Sequence, residues 1–364
     1  MNAYDVVTED LSKEELKRGL RRCSNRNSFL LLVFTALVMV FAYLLMPQIL
    51  KLLEGKFSST TVSSVSKMLI FLFQFAVTIP IVLIIGNKNQ EHKVKTYFRK
   101  PDATKGFIAK WVVITMGLSY ATNYIFTIIF LIIQALTGKT LNAVSLVAEN
   151  TVFDKIVMFI TIAVLAPIFE ELLFRGTLFT HTIKYGKWFA IIIIGCIFGL
   201  YHQNYQQIFY ATVMGILACF LALKTKSIIT PMIIHFSLNL IGAIQSMFLS
   251  GIDLTILEST DTDLLMKYIL DNISIFIGIG IMSLFSITVT IVGVILFIIE
   301  IVKNKRVFKL ENPCPQLSGR EKAVIYLTAP ITIITIIYLL ASTVMNAFPH
   351  LYTTLYDNIK DIFS

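Results

Sequence analysis

Three polar clusters interrupt stretches otherwise apolar enough to cross a membrane: Glu170-Glu171 with Arg175, Phe198 with His202, and His235 with Asn239. A charged side chain at the centre of a bilayer costs roughly 2.5–3.5 kcal/mol on insertion scales. Two carboxylates, a guanidinium, two imidazoles and an amide persist at that depth where they satisfy one another or line a wet cavity. The same set holds the parts of a hydrolytic site. It has a base, a second proton-handling group, and N–H donors for a developing oxyanion. A carboxylate held out of water is a stronger base than a hydrated one.

Helical spacing sharpens the picture. Glu171 and Arg175 stand four residues apart, share a helix face and can pair. Glu170 lies about 100° round the helix from Glu171 and is free to point elsewhere. His235 and Asn239 are also four apart and can aim at one point. Phe198 shares a face with His202 and is expected to pack beside the site.

The elements that must position these residues are membrane helices. The chain has 364 residues, 56% hydrophobic and 15% charged, with a mean hydropathy of +0.77. A soluble domain carries about 25% charged residues. An all-α, polytopic transmembrane helical bundle of about nine spans is expected. The spans fall near 28–50, 68–86, 107–137, 155–183, 188–202, 207–223, 228–249, 272–301 and 323–347. The fifth is short, as suits a helix sheltered inside a bundle. Pro80, Pro167, Pro231 and Pro330 fall within spans, where neighbouring helices can satisfy the freed carbonyls. Residues 1–27 read as an N-terminal flank, 28–154 as N-terminal membrane helices, 155–249 as the core bearing the three clusters, and 250–364 as C-terminal helices. No cleavable signal peptide is expected, because a polar flank precedes the first apolar run.

Lysine and arginine set the orientation. With a cytoplasmic N-terminus, all 31 except Arg175 and Lys51, Lys56, Lys67, Lys139, Lys155, Lys267 and Lys360 fall in alternate, inner segments. The acidic 250–271 loop, with Asp253, Glu258, Asp261 and Asp263, suits the outside. The net charge of +9 therefore faces anionic lipid, and no nucleic-acid partner is implied. Cys23, Cys196, Cys219 and Cys314 form no CxxC pair, so no disulfide framework is expected. On these spans Glu170 and His202 each lie roughly 21 Å from the inner end of their helices, and His235 and Asn239 roughly 10 and 16 Å. The clusters thus share a depth to within about 11 Å. Gly195 with Gly199, and Gly215 with Cys219, place small residues four apart where helices can approach closely.

EExxxR, FxxxH and HxxxN on successive spans resemble the CAAX protease and bacteriocin-processing family, which includes the type II CAAX prenyl endopeptidases. The resemblance covers about residues 155–245. It implies an intramembrane endopeptidase acting near the C-terminus of a lipidated or membrane-embedded peptide or protein. Glu170 would be the general base and His202 would help hold and deprotonate the water. His235 and Asn239 would stabilise the oxyanion, and Glu171 with Arg175 would support the site. A metal-free scheme is preferred, with no cofactor. Asn239 is a poor zinc ligand but a good oxyanion donor, and no HExxH occurs. The alternative is a zinc set of Glu170, His202 and His235.

Other readings stay open. Glu171–Arg175 can be a helix-fastening salt bridge, His202 a helix-end residue bonded to a carbonyl, and His235/Asn239 interhelical glue. The whole chain can be a non-enzymatic membrane adaptor or bacteriocin-immunity protein, or a transporter with a proton relay, though no internal repeat supports the last. His92, His181 and His350 read as surface or interfacial. Trp111 and Trp188 read as interfacial anchors. Tyr201, Asn204, Tyr205, Gln206 and Gln207 form a polar turn that is either a simple loop or a substrate-contacting rim. The expected location is the plasma membrane of a bacterium.

Overall fold

The computed structural model describes residues 4–5, 11–53, 55–56, 58–88, 94–138, 151–257 and 259–348. His92, His350, Lys139, Lys360 and Glu258, used in the readings above, lie outside them. Among the described residues there is no strand.

Among the described residues, nine helices form the bundle. They are α1 (Lys13–Leu52), α2 (Thr61–Asn87), α3 (Lys105–Thr137), α4 (Val152–Tyr185), α5 (Lys187–Tyr201), α6 (Tyr205–Thr225), α7 (Ile229–Leu249), α8 (Ile273–Lys303) and α9 (Pro330–Ala347). All but α5 are long and apolar enough to cross a membrane, and α5 has 15 residues. The chain is an integral membrane protein. Its outward faces carry Ile125, Ile128, Leu131, Ile132 and Leu136 on α3, Ile277, Ile281 and Leu284 on α8, and Ile334 and Ile337 on α9, all exposed. Such helically spaced apolar faces need lipid rather than water against them.

The segments assigned to the inner side meet at one end of the bundle. Lys13 pairs with Glu321 and Lys187 with Glu311. Lys224 Nζ donates to the Lys309 carbonyl, Ser227 Oγ to that of Arg99, and Asp102 N to that of Thr225. The segments assigned to one side are thus neighbours in the fold.

One predicted span is corrected. The span expected over 323–347 is not continuous: a separate helix, Gly319–Leu327, ends before Pro330 opens α9. Pro330 fits the first turn of a helix, where its missing N–H costs nothing. The Asn25 side chain on α1 accepts from Ile331 N at 3.0 Å, satisfying one of the donors a helix start leaves free. Ser24 and Ser28 add hydrogen bonds to Thr332 at 2.6 and 2.8 Å. The broken span is thereby fastened to α1.

Three internal prolines follow π-type turns. Phe41–Leu45 contains the turn before Pro47, Gln74–Thr78 the one before Pro80, and Ile160–Leu165 the one before Pro167. A proline removes a donor and crowds the carbonyl four residues back, and a wider turn eases that crowding. The π-type turn of Leu172–Leu178 precedes no proline and instead carries Arg175.

The tightest helix contact is α5 on α6. A Cβ built on Gly195 would fall 2.6 Å from Ile216 N, and one on Gly199 would fall 2.5 Å from the Ile208 carbonyl. Only glycine permits this approach, which draws the helix ending at His202 against its neighbour. Gly117 and Gly293 play the same part between α3 and α8, where a Cβ on Gly117 would lie 2.7 Å from Gly293 Cα. Spacing alone did not single out that second contact. The four cysteines are free.

Candidate functional site

The three clusters converge on one cavity of about 330 Å³. Glu170 reaches it from α4, Phe198 and His202 from the end of α5, and His235 and Asn239 from α7. Met214 and Tyr210 of α6, Phe75 and Gln74 of α2, and Ser119 and Tyr120 of α3 complete much of the wall.

Local backbone explains the positions. Glu170 and Glu171 end a short α-helical stretch, Ala166–Glu171, and the π-type turn begins at Leu172. Glu171 turns inward and is wholly buried, whereas the Glu170 side chain keeps 15% of its exposure at the cavity. Arg175 Nη1 donates to Glu171 Oε1 at 2.8 Å, with both side chains fully buried. Arg175 Nη2 donates to the Gly215 carbonyl at 3.2 Å. The guanidinium also lies 4.4 Å from the centre of the Phe198 ring, a stacking that a planar cation favours. Arg175 thus ties α4 to α5 and α6.

Both imidazoles are held through Nδ1. His235 Nδ1 donates to Glu171 Oε1 at 2.9 Å, and its Nε2 stands 4.0 Å from Glu170 Oε2. His202 Nδ1 is 2.9 Å from the Phe198 carbonyl. A carbonyl can only accept, so Nδ1 carries the proton and Nε2 keeps its lone pair. The Phe198 ring stands edge-on between the two, at 4.9 Å from His202 and 5.7 Å from His235. Phe198 therefore packs beside the site as its spacing suggests.

Asn239 has a partner that sequence did not reveal. Its Nδ2 donates to the Ile162 carbonyl at 2.8 Å. In the preceding π-type turn Ala166 N bonds the Thr161 carbonyl five residues back. The next donor in that register would be residue 167, a proline with no N–H. Asn239 supplies the missing donor, which leaves one amide hydrogen and its carbonyl oxygen uncommitted. Glu170 Oε2 and Glu171 Oε2 are buried without a hydrogen-bond partner among the described residues.

The turn after His202 is built, not loose. Gln203 has φ 51°, a left-handed conformation that non-glycine residues rarely hold. Its carbonyl accepts from Asn346 Nδ2 at 2.9 Å and its Oε1 from Ser342 Oγ at 2.5 Å, both on α9. Asn204 is buried and caps α6 by accepting from Gln206 N at 3.1 Å. Tyr201 packs on Phe34 and Phe174. Of this polar turn, Gln207 reaches the cavity wall.

Two readings are corrected. His181, taken as surface or interfacial, is buried, with Nδ1 2.9 Å from Asn27 Oδ1. Trp111, taken as an interfacial anchor, is fully buried against Phe220 and Phe308. As for a metal, among the described residues no three of His, Cys, Asp and Glu converge closely enough to hold one.

Comparison with known proteins agrees with the motifs. Residues 152–241 match the family model described as type II CAAX prenyl endopeptidase Rce1-like. The chain is similar to a Bacillus subtilis (strain 168) protein named "Putative membrane peptidase YdiL". The two are 33% identical over 99 residues, 25% of this chain and 41% of that protein. It is also similar to an uncharacterized 24.3 kDa protein of Escherichia coli, 25% identical over 103 residues, 27% of this chain and 48% of that one. The chain spans less than half the length of these curated relatives. No solved structure matches. The family match and the Bacillus relative support a CAAX protease family for the segment that carries the three motifs.

Proposed function

We propose that the chain is an intramembrane endopeptidase that hydrolyses a peptide bond of a membrane-associated substrate with a water activated by Glu170. The observation that carries this reading is the convergence of Glu170, His202, His235 and Asn239, from three helices, on one cavity inside an apolar bundle. In this scheme a water sits between Glu170 and His202 Nε2. Glu170 takes its proton as the oxygen attacks the amide carbon. The oxyanion that forms faces the spare N–H of Asn239 and the His235 side chain, which Glu171 holds in place. Collapse of the intermediate breaks the C–N bond, and the proton held by Glu170 passes to the leaving amine.

The scheme uses no metal, because Asn239 is a poor zinc ligand and a good oxyanion donor. The lysine and arginine pattern supports a cytoplasmic N-terminus, and the similarity to Bacillus subtilis and Escherichia coli proteins supports a bacterial plasma-membrane location. The test is a peptidase assay on purified protein in detergent, with a library of membrane peptides and with and without chelator. Cleavage by the parent that survives the chelator and is lost in Glu170→Ala is the expected result. Full activity in Glu170→Ala, or no cleavage by a well-folded parent, overturns the proposal. Loss on chelation with recovery on adding zinc overturns the metal-free part.

A further inference from the structure

Tyr4, close to the start of the chain, does not lie on the surface. It is 2% exposed and belongs to the hydrophobic core. Its ring packs on Phe179, with centres 6.2 Å apart, and its Oη donates to the Arg175 carbonyl at 3.4 Å. Arg175 stands ten residues from the inner end of α4 at Tyr185, roughly 15 Å at helical rise. The segment therefore enters the bundle instead of resting on its end. Asp5 holds it from outside, with Oδ1 2.9 Å from Lys226 Nζ just past the end of α6. Chain ends are usually loose unless something ties them down. Here an aromatic anchor and an ion pair do so, and the anchor dominates, because an exposed ion pair contributes little.

The contact falls where the backbone of the motif helix needs it. Phe179 N bonds the Phe174 carbonyl five residues back, and Ile183 N bonds the Phe179 carbonyl four residues back. The carbonyls of 175–178 therefore outnumber the N–H groups of 180–182 by one. Side chains make up the difference. Thr180 Oγ1 donates to the Gly176 and Thr177 carbonyls at 2.6 and 3.0 Å. Thr182 Oγ1 and Asn27 Nδ2 donate to that of Leu178 at 2.8 and 3.2 Å. The Arg175 carbonyl is served by Tyr4, 171 residues away in sequence. A buried carbonyl without a donor is costly, so the hydroxyl stabilises the register shift that carries Arg175.

What this turn carries gives the contact its consequence. Arg175 Nη1 holds Glu171 Oε1 at 2.8 Å, and the same oxygen holds His235 Nδ1 at 2.9 Å. Arg175 Nη2 holds the Gly215 carbonyl of α6, the helix that Lys226 caps. Tyr4 and Asp5 thus touch the same two helices that the guanidinium joins. We propose that Tyr4 is a positioning residue of the site: with Asp5 it forms an N-terminal latch that sets the Arg175 turn and, through Glu171, the aim of His235. Both latch residues lie outside the family-matched segment, 152–241. The effect on turnover rests on the endopeptidase reading, whereas the effect on His235 does not.

The test uses full-length protein in lipid nanodiscs and reads His235 directly. The chain has five histidines, few enough for ring-nitrogen NMR to separate, and the signal missing in His235→Gln is that of His235. Turnover is measured on a membrane peptide that the parent cleaves. Tyr4→Phe, which removes the hydroxyl alone, is expected to shift the His235 signal and to lower kcat about threefold at unchanged KM. Tyr4→Ala is expected to do the same with a loss of about tenfold. Asp5→Lys should act in the same direction more weakly, and Asp5→Lys with Lys226→Asp should return both readouts towards the parent. An unmoved His235 signal in both Tyr4 variants overturns the inference. So does a fall in thermal stability with kcat per folded molecule unchanged. A charge reversal that the swap does not rescue removes Asp5 from the latch. Parent that cleaves no peptide, while Tyr4→Phe still shifts His235, defeats the peptidase proposal and leaves the latch standing.

Discussion

Removing Asn239 tests whether this side chain is a structural donor as well as a candidate oxyanion donor. Its Nδ2 bonds the Ile162 carbonyl at 2.8 Å, which Pro167 would otherwise leave without a partner. In Asn239→Ala that part-buried carbonyl loses its side-chain donor, at a cost of up to about 1–3 kcal/mol. Pro167→Ala restores a backbone N–H in the same register. On its own the proline change also alters helix propensity, so the informative quantity is the coupling in a double-mutant cycle. Pro167→Ala should stabilise the Asn239→Ala background by at least about 1 kcal/mol more than it stabilises the parent. Reversible unfolding in mixed micelles measures it. If the two substitutions are additive within about 0.5 kcal/mol, Asn239 does not serve the proline-freed carbonyl and the argument fails. Should the double variant recover stability but not peptide cleavage, the lost function belongs to the other amide hydrogen.

Two further outcomes follow from the charges. Arg175→Met leaves Glu171 fully buried with His235 as its remaining partner and should cost about 3–5 kcal/mol in the same unfolding assay. Adding Glu171→Gln should recover much of the loss, because the stranded charge goes with it, and a double variant no better than the single contradicts this. At the polar end, Lys13 and then Ser318 pull the Glu321 carboxyl from its ordinary 4.5 down to about 2. Its folded form thus favours the ionised state. The Lys13–Glu321 tie is complete above the ordinary value and is lost as pH falls from about 4.5 through about 2. Amide exchange at 319–322 should rise over that window in the parent and show no such step in Glu321→Gln.

Much of the site was legible because it was written in local spacing. Residues four apart on a helix share a face whatever surrounds them, so Glu171–Arg175 and Phe198–His202 could be read without a fold. Depth could be counted from span ends. What could not be read depends on distant partners. Asn27 meets His181 from 154 residues away, and no pattern around either residue announces the pair. Trp111 sits near a helix start, where an aromatic residue suits an interface, yet Phe220 and Phe308 enclose it. The break before Pro330 turns on Asn25, which offers an acceptor on another helix. Ser119, Tyr120 and Asn123 of the cavity wall went unnoticed because polar residues on an apolar helix carry no motif.

The grip of α9 on Gln203 bears on how far the motif segment can be moved. Residues 152–241 hold every side chain of the three motifs, but the residue after His202 is kept in a left-handed conformation by Ser342 and Asn346, 139 and 143 residues downstream of it. A chimera that transplants the segment without α9 carries the full set of chemical groups and loses the brace that aims one of them. Glycine at position 203 is the simplest replacement for that brace, since it adopts the same backbone angle without help.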